Sequence, residues 1–397
     1  MASSRTIVIA GAGIGGLTAA LALARKGFHV ALLDQAERLE ETGAGLQLSP
    51  NATRILIELG LGERLKRSAV VPSMLRVMAA RTGRNITRMP LGQTAETRYG
   101  TPYWVIHRGD LQAALLEAVT EASDITLSLG VKVADCAVHA NGVTVGATRG
   151  GRNADTSGIA LVGADGLWSS VRTRLVDHAP PRYAGRTAWR ALVPAEAVAP
   201  QWREPVVNLW LGPDSHLVHY PVKAGGMINV VAIVSDDWNE PGWSAPGFRE
   251  ELLRRFELEG WTLEARALLA APERWLKWAL ADRPPIARWS EGPVTLLGDA
   301  AHPMLPFLAQ GAAMAIEDAA VLANCLAKTP NDPTGAMRVY ERQRRARTAR
   351  VQRQSRSNSW IYQLDGPPAR LRDLALLAMG GTRLRHRYDW IYGWRTT

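Results

Sequence analysis

Short apolar runs with little polar alternation open the chain. TIVIA (Thr6–Ala10) and HVALLD (His29–Asp34) have the pattern of strands covered on both faces. Between them, Gly11–Gly16 reads as a turn and Leu17–Arg25 as a helix closed by Gly27. This order is a strand–helix–strand unit, which implies a parallel sheet with a right-handed crossover. The same reading predicts a helix at Leu111–Glu121 and a buried strand at Ile159–Asp165. It also predicts a parallel-type strand at Val294–Gly298 and a helix at Gly311–Ala327. The middle of the chain changes character. VVNLWL, LVHYPV and MINVVAIV, between Val206 and Val234, alternate in part and are separated by Gly, Pro and Asp. They predict antiparallel strands with one covered face. Phe248–Leu269 reads as helix, and Thr334–Trp360 as a helix polar nearly all round and therefore lying over the surface. No internal repeat or low-complexity linker interrupts the pattern. The fold class is α/β. A Rossmann-like domain with a parallel sheet is interleaved with a mainly antiparallel-sheet domain and followed by a C-terminal helical segment.

Composition adjusts this picture in three places. The 397 residues are 47% apolar, enough for two domains or one with an intimate partner, and too apolar for a disordered chain. Cys136 and Cys325 stand far apart with no CxxC spacing. That argues against a disulfide scaffold and a metal site, and fits a reducing, cytoplasmic setting. The net charge is +10, which favours anionic ligands. Eight arginines fall between Arg338 and Arg356, opposed within that stretch by Glu341 alone. They read as a solvated helix face, and without interleaved aromatics they predict no nucleic-acid site. The uncharged stretch Ile7–Ala24 approaches the length of a membrane span, but four glycines break its front half, so strand, turn and helix explain it better.

Three stretches carry candidate chemistry. The first, GAGIGG, places Gly11, Gly13 and Gly16 in the Gly-x-Gly-x-x-Gly spacing, with Ile14 and Gly15 between them. Such glycines allow a tight turn, close approach of a pyrophosphate to a helix N-terminus, and helix–strand packing. Asp34 ends the second strand where an acid can hold a ribose hydroxyl. The turn alone does not separate a nicotinamide from a flavin dinucleotide. In the second, GADGLWSSVR, a strand delivers Asp165, Gly166 permits a sharp turn, and Ser169 or Ser170 can cap a helix. The third, LLGDAAHPMLPFLAQGAAMAIEDA, runs from a strand through Asp299 and an irregular turn to a helix starting at Gly311. The positive end of that helix suits a group that becomes anionic, as the pyrimidine edge of a flavin does on reduction.

In this order the three stretches resemble those of the FAD-dependent aromatic hydroxylases, the single-component flavoprotein monooxygenases. Within that family the chain is similar to the salicylate, 3-hydroxybenzoate and 6-hydroxynicotinate hydroxylase branch. GAGLQLSPNATRIL (Gly43–Leu56) and IHRGDL (Ile106–Leu111) add to the match. The resemblance implies bound FAD, with NADH or NADPH as a transient co-substrate and no metal. It places Gly11, Gly13, Ile14, Gly15, Gly16, Asp34, Asp165 and Asp299 at the cofactor. It also puts Arg108 and Gln47 near the FAD, the Val133 backbone on the adenine, and Gly311 and Ala312 on the flavin ring. The turn from Ala300 to Gly311 would wrap the flavin and shape the floor of a substrate pocket. The implied division is 1–75, 106–180 and 286–330 for the FAD-binding domain, 76–105 and 181–285 for the substrate domain, and 331–397 for C-terminal helices.

The implied reaction hydroxylates a small aromatic acid with O2 through a flavin C4a-hydroperoxide, which must be kept dry while the ring is activated by a base. His216 and Tyr220, four apart in SHLVHYPV, share one strand face, and His219 takes the other. The spacing resembles the pocket strand of the branch and makes His216 and Tyr220 the catalytic candidates; a histidine packed against a sheet is the alternative. His302 reads as structural, supporting Asp299 and its loop, which Pro303 and Pro306 stiffen. At Pro306 and Phe307 the chain departs from branch members that carry a polar side chain there, which puts their particular substrates in doubt. Trp210 and Met227 suit either a pocket wall or the core, and Arg190 either a carboxylate partner or a surface arginine. Decarboxylative hydroxylation, as on 6-hydroxynicotinate, and oxidation or epoxidation of a non-aromatic substrate remain alternatives. A flavin halogenase is disfavoured, because no Trp-x-Trp-x-Ile-Pro motif occurs. No nucleic-acid partner and no membrane span are expected, and a homodimer is left open.

Overall fold

The computed structural model describes residues 5–39, 44–176, 179–238, 240 and 242–396. Among them, six strands form one sheet in the order Ser290–Glu291, Val294–Leu296, Ala160–Gly163, Thr6–Ala10, His29–Asp34, Ile125–Leu129. All neighbours are parallel except the first pair. Eight strands form the second sheet, in the order Ser244–Gly247, Trp275–Asp282, Arg182–Pro194, Met227–Ser235, Ser215–Val222, Val206–Gly212, Met74–Ala79, Asn85–Pro90. It is antiparallel except where Val206–Gly212 runs parallel to Met74–Ala79. The parallel sheet is buried on both faces, and Ile7, Val8, Ile9, Leu161 and Val162 are wholly inaccessible. Two smaller sheets complete the α/β architecture, one of four strands within 131–158 and one pairing Gly45–Leu48 with Trp104–His107, and helices Pro333–Tyr362, Gly366–His386 and Asp389–Tyr392 close the chain. No described helix is long and apolar enough to cross a membrane.

Local chemistry moves several element ends. The helix after the glycine turn begins at Ile14, inside the glycine spacing. The stretch read as one helix over Phe248–Leu269 is two, Arg249–Leu258 and Leu263–Ala270. Gly260 breaks it with φ +74, and the Thr262 side chain caps the second helix. The strand expected to run to Gly298 stops at Leu296, and Asp299 sits in the tight turn Gly298–Ala300. Gly43, the first residue of one matching stretch, lies outside the described residues.

The larger correction concerns the arginine-rich helix, Pro333–Tyr362. It does not lie over the surface as a solvated rod. Arg344, Thr348, Gln352, Ser355 and Asn358 form a buried polar face. Arg344 is fully buried and pairs with Glu317 and with Asp318, each at 2.6 Å. Arg347 takes both oxygens of Glu317 at 2.7 and 2.8 Å. Asn51 donates to Glu317 at 2.6 Å. Asp318 also accepts from the Gly298 N–H at 3.1 Å and meets His302 Nε2 at 2.5 Å. Arg356 reaches Asp282, and the guanidinium of Arg350 stacks over Trp390. Acids on other elements therefore balance part of the run. Arg338, Arg342 and Arg353 remain exposed.

Burial by itself would raise the Asp318 carboxyl, but His302 and Arg344 outweigh it and hold it at about 2. A free aspartate titrates near about 3.9. The stability it contributes is therefore complete above about pH 4 and is lost as pH falls through the folded value. Asp318→Asn, which leaves Arg344 underpaired, should cost about 3–5 kcal/mol at pH 7. It should also lose less stability than the natural chain between about pH 4 and 2. Denaturant titrations at a series of pH values check this; parallel acid limbs for the two proteins would refute it.

Candidate functional site

A cavity of about 540 Å³ is walled by the eight-stranded sheet, by the glycine turn, by the loops that follow Ala160–Gly163 and Val294–Leu296, and by the strand Gly45–Leu48. At one end is the glycine turn. Gly11 has φ +102, and a Cβ there would stand 2.4 Å from the Ala164 carbonyl oxygen. At Gly16 a Cβ would lie 1.8 Å from the Gly11 oxygen. Both positions need glycine for packing. Gly13 differs. Its φ is an ordinary −71°, and a Cβ would meet no protein atom within 4 Å. Gly13, Ile14 and Gly15 line the cavity, so the bare backbone at Gly13 serves approach from the cavity side. The helix starting at Ile14 has no side-chain cap, which leaves its first N–H groups free for an anion.

Acidic residues hold this end in shape. Asp34 accepts from the Ala12 N–H at 2.6 Å and the Ala36 N–H at 2.8 Å, so it fastens the turn. Asp165 accepts from the Ser170 and Val171 N–H groups at 2.8 and 3.2 Å, and Ser169 caps the same short helix. Val133 gives its carbonyl to the Ser170 hydroxyl at 3.2 Å. Gly11, Gly16, Asp34, Val133 and Asp165 are not among the residues that line this cavity. Gln47, Arg108, Asp299, Gly311 and Ala312 do line it. Asp299 exposes its side chain to the cavity, yet the enclosing protein desolvates it, and this burial raises its pKa against the pull of His302 and Arg108. His302 acts on the turn through Asp318, which also anchors Gly298. Gly311 and Ala312 begin the second helix without a side-chain cap. Two uncapped helix starts, an open Gly13, the carboxyl of Asp299 and the guanidinium of Arg108 along one cavity fit FAD: the first helix suits a pyrophosphate, the second a pyrimidine edge.

At the other end the wall is the eight-stranded sheet. Residues opposite one another in register share a face, so three rungs can be read across it. Ile233, His216 and Leu211 form one rung, and Asn229 and Tyr220 another, with Val207 in the same cluster as Tyr220. Arg190, Val231, Val218, Leu209 and Val77 form the rung between them. All of these except Asn229 line the cavity. His216 and Tyr220 thus face the same chamber, separated along the strand by about 13 Å at roughly 3.3 Å per residue. His219 faces away and packs edge-on to Trp202 at 5.2 Å. Trp210 lies with it in the core, and Met227 packs with the neighbouring cluster, so neither is a pocket wall.

Burial, with help from Arg186, lowers His216 to about 3, so the imidazole is neutral at physiological pH. Its Nδ1 has no hydrogen-bond partner. Burial raises the Tyr220 hydroxyl, with Arg190 pulling the other way, so Tyr220 stays protonated. The Phe307 ring lies 5.3 Å from His216, and the Tyr362 ring 5.5 Å. Asn358 donates to the Tyr362 hydroxyl at 3.2 Å. Tyr362, Tyr388 and Tyr392 also line the cavity, so the C-terminal helices are part of the site. The sequence reading assigned them no role. They lie far along the chain from His216, and no local motif marks them.

Known proteins resemble the chain over most of its length. Residues 4–355 match the family described as FAD binding domain. The 3-hydroxybenzoate 6-hydroxylase 1 of Aquipseudomonas alcaligenes is 39% identical over 393 residues, 98% of each chain. The 6-hydroxynicotinate 3-monooxygenase of Pseudomonas fluorescens is 34% identical over 92% of this chain and 94% of its own. A salicylate hydroxylase solved as a substrate complex superposes with a TM-score of 0.83 at 28% identity, covering 100% of this chain and 97% of that one.

The glycine turn offers a test. Compared as apoproteins, Gly13→Ala should unfold at the natural midpoint while failing to hold flavin, whereas Gly16→Ala should lower the apoprotein midpoint itself because its Cβ meets backbone. Flavin absorbance and thermal unfolding of both variants measure this; full flavin content in Gly13→Ala would remove the role given to that backbone. With its cofactor cavity, its sheet-walled chamber and its family match together, the chain belongs to the FAD-binding-domain family and is a flavin-dependent monooxygenase of the aromatic hydroxylase type.

Proposed function

We propose that this chain hydroxylates a small aromatic acid of the hydroxybenzoate type, consuming O2 and NADH or NADPH. The observation that carries the reading is His216 and Tyr220 facing one enclosed chamber across an apolar stretch of sheet. FAD, when bound, supplies oxygen in a form that an electron-rich ring can take up. The chain supplies the rest. Val218, Leu209 and Val77 give a flat apolar wall for a ring, and Met304, Leu305, Pro306 and Phe307 close the floor against water. A neutral His216 accepts a hydrogen bond from a phenol, which fixes the hydroxyl and adds electron density to the ring as it reacts. Tyr220, kept protonated, donates. Phe307 occupies the place where branch members carry a polar group, so ring activation falls to His216. Asp299, Arg108, Gly13, Gly311 and Ala312 are the residues assigned to holding the cofactor. The nicotinamide visits without a fold of its own. The buried free thiols of Cys136 and Cys325 support a cytoplasmic setting.

The test is oxidation of NADH and of NADPH by the holoenzyme with 3-hydroxybenzoate, salicylate, 6-hydroxynicotinate and non-aromatic acids. One aromatic acid should stimulate oxidation several-fold and appear as a hydroxylated product, and release of CO2 would mark the decarboxylative variant. Equal rates with every acid would move the assignment to a non-aromatic substrate. His216→Ala should keep its flavin spectrum while coupled product formation falls about 100-fold or more; an unchanged product yield per reduced nicotinamide would rule His216 out.

A further inference from the structure

The rung between His216 and Tyr220 holds one charged side chain. Arg190 shares it with Val231, Val218, Leu209 and Val77. The sequence left Arg190 open between a surface arginine and a carboxylate partner. It is not a surface arginine. It is half-buried and lines the cavity from the sheet, and its Nε is buried with no hydrogen-bond partner. Among the described residues no carboxylate lies within ion-pair distance of it, and Asp299, the one acid lining the cavity, belongs to the cofactor turn. Arg108 and Arg387 also line the cavity, but both are solvent-exposed. The Arg190 guanidinium is 5.1 Å from the centre of the Trp278 ring, which orients it. Burial and the neighbouring Arg108 lower its pKa to about 10, still cationic at neutral pH.

A buried cation without a counter-charge is expensive to keep, and a ligand that brings the charge with it relieves that cost. The planar guanidinium fork matches the two oxygens of a carboxylate better than the single oxygen of a phenolate. The rung order then separates the two ends of a substrate. A hydroxyl goes to the His216 rung, and an anion goes to the middle rung on the Trp278 side. We infer that Arg190 is the carboxylate-binding residue of the chamber, so that the enzyme selects ring acids over neutral phenols of the same shape. The inference rests on the aromatic-acid reading of the chamber.

The test compares 3-hydroxybenzoate with its uncharged analogue 3-hydroxybenzamide, titrated into the holoenzyme and read as perturbation of the flavin absorbance. The natural chain should bind the acid about 10- to 100-fold more tightly than the amide. Arg190→Gln should bring the two to near parity by weakening the acid alone, and Arg190→Lys should keep part of the preference. A natural chain that binds acid and amide equally overturns the assignment, as does an Arg190→Gln protein that retains the preference. If neither compound perturbs the flavin, the aromatic reading falls and the inference with it. Should Arg190→Gln fail to hold flavin, the acid-to-amide ratios of the natural chain and of Arg190→Lys decide the matter.

Discussion

Two adjacent carboxylates inside an apolar helix set the terms for the rest of the molecule. Glu317 and Asp318 are fully buried on the helix that starts at Gly311. Neither can stay ionised there alone. Arg344 and Arg347 come from the long C-terminal helix to meet them, Asn51 from the helix after Gly45–Leu48, and His302 and the Gly298 amide from the cofactor turn. One ionic cluster thus fixes the floor helix, the Asp299 turn and the C-terminal helix relative to one another. A buried pair of this kind adds little net stability over a well-packed apolar substitute. What it adds is position: each charge has one place where it is satisfied.

The chamber depends on a second constraint, the period of two along a strand. His216, Val218 and Tyr220 face the cavity because they alternate, and His219 is sent to the Trp202 and Trp210 cluster for the same reason. Register across five strands then decides which side chain stands beside which. Arg190 gains a neighbourhood of Val and Leu from strands far away in the chain, and that neighbourhood turns an ordinary surface residue type into a desolvated cation. The aromatic side chains of Phe307 and Tyr362 close the other side around His216. The neutrality of His216 follows from the same enclosure.

Much of this was legible in the sequence, and the reasons are local. The glycine spacing, the strand end at Asp34, and the alternation in SHLVHYPV each depend on a few consecutive residues. The turns that line the cavity were therefore readable, and so was the shared face of His216 and Tyr220. The long helix was misread because much of its buried face is polar: apart from Ala336, Met337, Tyr340, Ala349 and Val351, the buried positions are Arg344, Thr348, Gln352, Ser355 and Asn358, which do not announce burial. The signal lay elsewhere, in Glu317 and Asp318 set within GAAMAIEDAAVL, a run that leaves no solvent for two acids and so demands basic partners. Gly260 was a visible break in the helix read over 248–269. Tyr362, Tyr388 and Trp278 had no signal, since their roles come from packing between segments distant in the chain.

The strand order of the parallel sheet bears on how the chain comes into being. Thr6–Ala10, which carries the glycine turn, lies between His29–Asp34 and Ala160–Gly163, and the latter in turn needs Val294–Leu296. The eight-stranded sheet is made mostly in the interval. On a ribosome the N-terminal unit must therefore wait, with one edge unpaired, until most of the chain has been synthesised. The arginines that neutralise Glu317 and Asp318 emerge later still. Such an arrangement has many contacts between residues distant in the chain, which slows folding and leaves an apolar edge exposed meanwhile. The order of synthesis makes the cofactor cleft, whose motif is translated first, among the last parts of the protein to be completed.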